Sequence, residues 1–209
     1  MSRVNTKNLE KNGRSSCPRC LRPATHCLCA YVSAVPSRTR VLILQHPDES
    51  RHALNTARLA ALGLTNSTLW VGEHFPDLAS SIRQASAAFL LFPGPEAQAP
   101  LPLEALAAGD APLLIVPDGT WRKARKLVQL NPVLADLPRL MLADGVPSRY
   151  RVRKAAEPNA VSTIEAIVRT LTWLEPGQDF EPLLRPFDAL IEQQIAAMGA
   201  EVYARHHGG

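Results

Sequence analysis

Cysteine is confined to one short stretch: Cys17, Cys20, Cys27 and Cys29 are all there is, and residues 30–209 contain none. The body of the chain therefore carries no disulfide framework. Long apolar runs are absent too. No stretch approaches the roughly 18 apolar residues that a membrane-spanning helix needs. Residues 1–16 are polar and basic and lack the apolar core of a secretory signal, so they read as a disordered basic tail and the cytoplasm is the expected location. Charge is not extreme either. With 46% hydrophobic and 20% charged residues the chain has the composition of a folded globular protein rather than a disordered one. At 209 residues it can bury one sizeable core.

The cysteines are spaced Cys17-x2-Cys20-x6-Cys27-x-Cys29. Two close pairs can offer four thiolates to a tetrahedral zinc ion, with Pro18 and Pro23 stiffening the turns between ligands. Metal binding would then fold a segment that has almost no apolar core of its own. Disulfides and a redox pair at Cys17 and Cys20 are the alternatives, and His26 could stand in for one thiol. Four thiolates leave no open coordination position, so this zinc is expected to be structural.

Charge is unevenly placed. Between Pro117 and Lys154 there are nine Lys or Arg (Arg122, Lys123, Arg125, Lys126, Arg139, Arg149, Arg151, Arg153, Lys154) against Asp118, Asp136 and Asp144, while the rest of the chain is slightly acidic. Clustered cations suit a polyanion, because neutralising phosphates releases condensed counterions. A solvated basic face is the plainer alternative.

From residue 37 onward short apolar runs alternate with amphipathic stretches. Strands are predicted at Arg40–Gln45, Thr68–Val71, Ala87–Phe92, Leu113–Val116 and Arg139–Leu142, and helices at Ala53–Leu62, Asp77–Gln84, Leu103–Ala108, Thr120–Leu130, Val161–Leu174 and Phe180–Tyr203. Strands separated by helices imply an α/β fold with a mainly parallel sheet covered on both faces. Ser162 and Glu165 are spaced as a capping box. Three segments follow: a tail (1–16), a zinc knuckle (17–36) and an α/β domain (37–209).

Asp118-Gly119-Thr120-Trp121 falls where a buried strand ends and a basic helix begins, and such strand ends face the ligand crevice of open α/β sheets. Asp118 or Thr120 could equally cap the helix, and Trp121 could pack against the sheet or stack on a base. Arg122, Arg125 and Lys126 share one helical face suited to phosphates, whereas Lys123 points elsewhere.

Five separated segments resemble one family. Asp118-Gly119-Thr120-Trp121, Gln45-His46-Pro47-x-Glu49, Asn55-Thr56-Ala57-Arg58-Leu59, Tyr150-Arg151-Val152-Arg153-Lys154 and Ser162-Thr163-Ile164-Glu165-Ala166 occur in the order seen in DTW-domain proteins, and the cysteine cluster is similar to theirs. The resemblance implies a tRNA-uridine aminocarboxypropyltransferase, with S-adenosylmethionine as donor and N3 of a uridine as acceptor. It also implies a SPOUT-like fold with a C-terminal trefoil knot. On this reading Asp118 is the candidate base, and Thr120 and Trp121 stand beside it in the catalytic set. The donor pocket draws on Leu91, Phe92, Pro93, Gly94, Val116, Pro117, Tyr150, Arg151, Arg153, Ser162, Thr163 and Glu165. His46, Asn55, Arg58, Arg122, Arg125, Lys126 and Lys154 are the expected RNA contacts. A knotted RNA methyltransferase and a non-catalytic zinc-ribbon RNA-binding protein are the rival readings. Monomer and homodimer are both open.

Overall fold

The computed structural model describes residues 15–52, 54–94, 97–99, 111–142, 148–150 and 161–199. Five parallel strands, β1 (Arg40–Gln45), β2 (Ser67–Val71), β3 (Ala88–Leu91), β4 (Leu113–Asp118) and β5 (Arg139–Leu140), form one sheet in the order β2-β1-β4-β3-β5. Period-two alternation on the central strands sends Val41, Ile43, Leu114 and Val116 to one face and Leu42, Leu44, Leu113 and Ile115 to the other. Helices α1 (Thr56–Gly63), α4 (Thr163–Leu174) and α5 (Arg185–Met198) cover the first face. Helices α2 (Leu78–Arg83) and α3 (Trp121–Leu130) cover the second. The predicted α/β class and doubly covered parallel sheet are what is found.

Chain direction reverses at the centre of the sheet. From β1 the chain crosses outward to β2, and from β4 it crosses the other way to β5, so the carboxyl ends of the adjacent strands β1 and β4 mark a switch point. Gln45 and Asp118 are register partners there.

The C-terminal helix departs from expectation. Instead of one helix from Phe180 to Tyr203, a 3-10 turn at Glu181–Leu184 precedes α5, which stops at Met198. Pro182 and Pro186 impose the break, since each lacks an N–H and fits only the first turn of a helix. Gly199 closes α5 at φ 84°, a conformation that favours glycine. Helix α1 begins at Thr56 rather than Ala53, because the Asn55 side chain caps it by accepting the Arg58 N–H. The predicted helix at Leu103–Ala108 lies outside the described residues.

The cysteine segment contributes side chains to the main core. Leu28 is fully buried within the core of the first face, and Val35 bridges to Leu64 in parallel fashion. The course of a trefoil knot would turn on the chain between β5 and α4, where residues 143–147 and 151–160 lie outside the described residues. Among the described residues no helix is long and apolar enough to cross a membrane.

Candidate active site

Strands β3 and β4 part company before they end. Their pairing reaches only Leu90 opposite Ile115, yet β4 continues to Asp118. Successive residues of a strand turn their N–H groups to opposite sides. The Asp118 carbonyl accepts from His46 N–H on the β1 side at 3.0 Å, so residue 117 faces β3. It is a proline. With no N–H to donate, Pro117 leaves no ladder bond to close the gap, and a proline is tolerated so near the sheet centre because pairing on that side has already stopped.

The gap widens into a cleft of about 280 Å³, lined by Leu91, Phe92 and Pro93 from the end of β3, Val116 and Pro117 from β4, and Thr163 from the start of α4. Six of the twelve predicted donor-pocket residues thus share one cavity. Gly94 stands just beyond it, its Cα facing the Arg139 side chain at 2.8 Å from where a Cβ would sit.

Asp118 sits behind this cleft. It is buried, its Oδ2 accepts from Gln45 Nε2 at 2.8 Å, and its Oδ1 accepts from the Thr163 hydroxyl. Burial pushes its pKa up, against the lowering effect of the Thr163 and Gln45 hydrogen bonds. Gln45 Nε2 also donates to Asn55 Oδ1 at 2.9 Å, so a polar chain runs Asn55–Gln45–Asp118–Thr163 and emerges into the cleft at Thr163. Thr163, expected against the donor, is the residue through which the aspartate reaches open space.

The two capping alternatives at the DTW segment separate cleanly. Thr120, not Asp118, is the N-cap of α3, accepting the Lys123 N–H. Gly119 has φ 157°, and a Cβ there would lie 3.0 Å from Lys123 Cβ, so glycine fits a turn that brings α3 against His46. Trp121 does not pack against the sheet: it is 45% exposed, lines the cleft mouth, and meets Phe92 edge-on at 6.0 Å.

The expected RNA contacts divide into outward and inward groups. Arg122 and Arg125 are exposed on α3 and take no acidic partner among the described residues. Lys126 is paired instead with Glu73 at 2.8 Å, and Lys123 with Glu49 at 2.8 Å and Asp48 at 3.3 Å. His46 is buried and Asn55 half-buried, and both bond within the chain. The His46 Nδ1 accepts the Asp48 N–H at 3.3 Å, and its Nε2 lies 2.7 Å from Glu73. Lys126 and His46 together hold the Glu73 carboxyl below its ordinary range. Asn55 caps α1 and holds Gln45. Arg58 keeps its Nε buried without a hydrogen-bond partner among the described residues.

Glu165 is also an interior group. Its buried carboxylate accepts from Ser162 N–H and Oγ, from Ser148 Oγ and from Arg149 N–H, so the capping box of α4 doubles as a clamp on residues 148–149. Neither Ser162 nor Glu165 lines the cleft. Tyr150 is buried with its ring edge-on to Phe187 at 5.4 Å. Arg151, Arg153 and Lys154 lie outside the described residues.

Gln45 was absent from the predicted set. Its signal was a polar residue ending the apolar run Val41–Leu44, in the same segment as His46.

The four cysteine sulfurs all lie within 4.8 Å of one another, with Cys17–Cys29 at 3.6 Å and Cys20–Cys27 at 3.8 Å. Zn–S bonds of about 2.3 Å in a tetrahedron put sulfurs about 3.8 Å apart, against about 2.05 Å in a disulfide. The four thiols therefore fit a metal and no disulfide joins them. The Cys20 and Arg19 amides draw the Cys17 thiol down to about 6, while burial and the neighbouring thiols push Cys29 up to about 12.

The sequence model of the DTW domain matches residues 14–195, cysteine cluster included. The tRNA-uridine aminocarboxypropyltransferase 2 of Drosophila melanogaster is 29% identical over 196 residues, which cover 88% of this chain and 76% of that protein. The protein of the same name from Mus musculus is 33% identical over 87% of this chain, and the match spans 64% of the mouse protein. The tRNA-uridine aminocarboxypropyltransferase A of Arabidopsis thaliana is 28% identical over 87% of this chain and 80% of its own length. No solved structure matches the chain.

Proposed function

The chain belongs to the DTW-domain family, and from that premise we propose that it transfers the 3-amino-3-carboxypropyl group of S-adenosylmethionine to N3 of a uridine in tRNA, releasing methylthioadenosine. The names of its relatives support the reaction class and the tRNA substrate. The observation that carries the chemistry is the buried Asp118 carboxylate bonded to the Thr163 hydroxyl, which lines the cleft beside it.

Each carbon on a sulfonium is open to attack, so the group transferred is the one whose carbon the pocket turns toward the nucleophile. Uridine N3 attacks the γ-carbon of the aminocarboxypropyl arm, the carbon–sulfur bond breaks, and the sulfur leaves with its electron pair as a neutral thioether. The N3 proton must go elsewhere. The Thr163 hydroxyl takes it while passing its own proton to Asp118, whose raised pKa makes it a better acceptor than an exposed aspartate. The largely apolar cleft walls at Leu91, Phe92 and Val116 suit the adenine of the donor, and Trp121 at the mouth offers a flat face for a base, a contact worth about 1–3 kcal/mol. Arg122 and Arg125 supply the phosphate contacts on α3. Arg151 and Arg153 remain candidates for the donor carboxylate, as guanidinium forks match it in geometry. We place the protein in the cytoplasm, where reduced thiols favour a structural zinc in the cysteine cluster. A SPOUT-like knot completes the reading.

Chromatography of the donor by-product tests it. Incubation with tRNA and S-adenosylmethionine is expected to release methylthioadenosine, whereas S-adenosylhomocysteine would make the protein a methyltransferase. Failure to bind the donor at all, seen as no thermal shift, would leave only the RNA-binding reading.

A further inference from the structure

A second recess, about 350 Å³ in volume, lies between the cysteine segment and the loop after β1. Arg22 and His26 line it from one side, Arg51 and His52 from the other, and Asn55 joins them from the N-cap of α1. No carboxylate is among its described lining residues. The two acids of the neighbouring loop, Asp48 and Glu49, are turned to Lys123. Arg51 and His52 are exposed, and Arg51 takes no ion pair among the described residues. His52 Nδ1 accepts the Leu54 N–H at 3.2 Å, which leaves Nε2 as its donor.

Leu21, also in the lining, is the one described non-glycine residue with positive φ, at 59°, and it is 49% exposed. A branched side chain is costly in that conformation, and burial does not compensate here. The turn holding it is fixed by the Leu21 N–H to the Cys17 carbonyl at 2.9 Å, inside the thiol cluster. A hydrogen-bond chain links the recess to the proposed reaction centre. Asn55 bonds Gln45, and Gln45 donates to the Asp118 oxygen other than the one that Thr163 meets.

We infer that this recess is an RNA subsite that takes the sugar–phosphate backbone and one unstacked base beside the modified uridine, which deepens the proposed tRNA reaction and rests on it. Arg22 and Arg51 meet phosphate, and the imidazoles with Leu21 form an apolar and donor surface for the base. The cysteine cluster then does more than brace the fold. It holds Leu21, Arg22 and His26 in place for RNA.

The test uses the full chain and unmodified tRNA, with equilibrium binding measured at two salt concentrations. R51E is expected to weaken binding at least tenfold and to flatten the salt dependence, with zinc content and the thermal shift on adding S-adenosylmethionine unchanged. L21G separates contact from scaffold: glycine relieves the positive φ, so the variant should be as stable as wild type or more so and still bind tRNA more weakly. Binding by both variants within twofold of wild type overturns the subsite, even if the wild type makes the aminocarboxypropyl product. Loss of binding in a protein that makes no such product keeps the subsite and removes the proposed activity. A wild type that binds no tRNA overturns both.

Discussion

Asp118→Asn separates the chemistry of the aspartate from its place in the fold. Asparagine can keep both contacts: its carbonyl accepts from Gln45 Nε2, and its amide donates to Thr163 Oγ1, which reverses the hydroxyl. Two hydrogen bonds to a charged group, about 1.5–3 kcal/mol each, become neutral ones of about 0.5–1.5 kcal/mol. That loss is offset by no longer burying a charge, a cost visible in the raised pKa of Asp118. Net stability at neutral pH should therefore change by less than about 1.5 kcal/mol, or roughly 3–6 °C in Tm for a chain of this size. The reaction has no such offset, because the reversed Thr163 has no group behind it to receive a proton. Turnover should fall by about 10²–10⁴, measured as product formed per minute from tRNA, while the thermal shift with S-adenosylmethionine persists. The pH dependence carries a sign. With its folded-state pKa raised, Asp118 binds its proton in the native state at pH values where the unfolded chain has released it, so wild-type stability falls as pH rises from about 3.9 through the raised value. Urea titrations should show D118N gaining on wild type across that window and holding a constant margin above it. A D118N enzyme retaining more than a tenth of wild-type turnover would refute the relay.

Three further perturbations probe neighbouring parts of the account. Thr163→Val removes the hydroxyl and should lower kcat by about 10²-fold or more, whereas Thr163→Ser should restore most of it; equal rates for the two would exclude the hydroxyl from the path. Glu165→Ala strips the buried acceptor from Ser148, Arg149 and Ser162 and should cost about 3–5 kcal/mol in urea unfolding, well beyond a surface substitution. Elemental analysis should return one zinc per chain, and chelation should expose the segment around Cys17–Cys29 to protease before the sheet unfolds; a zinc-free protein with intact function would contradict the metal assignment.

The parallel sheet was legible because apolar runs such as Val41–Leu44 and Leu113–Val116 alternate with amphipathic stretches, a pattern that parallel strands require. The cleft was legible in its parts, since Leu91–Pro93 and Val116–Pro117 both end strands at turn residues. Less visible was the use made of polar residues. Whether His46 faces RNA or Glu73, and whether Lys126 meets phosphate or carboxylate, is decided by tertiary contacts between residues far apart in sequence, which local spacing does not encode. Gln45 was hidden for the same reason, as only the strand register reveals that it sits opposite Asp118. The break before α5 was written in Pro182 and Pro186, but amphipathic periodicity runs through both and masks it.

The central claim is that this cleft joins a tRNA uridine to the aminocarboxypropyl arm of the donor, with Asp118 behind Thr163 as proton acceptor. Mass spectrometry of nucleosides from tRNA incubated with wild-type or D118N protein and S-adenosylmethionine addresses it directly. The account predicts 3-(3-amino-3-carboxypropyl)uridine with the wild type and almost none with D118N. A methylated nucleoside, or unaltered uridine in the wild-type digest, would contradict it.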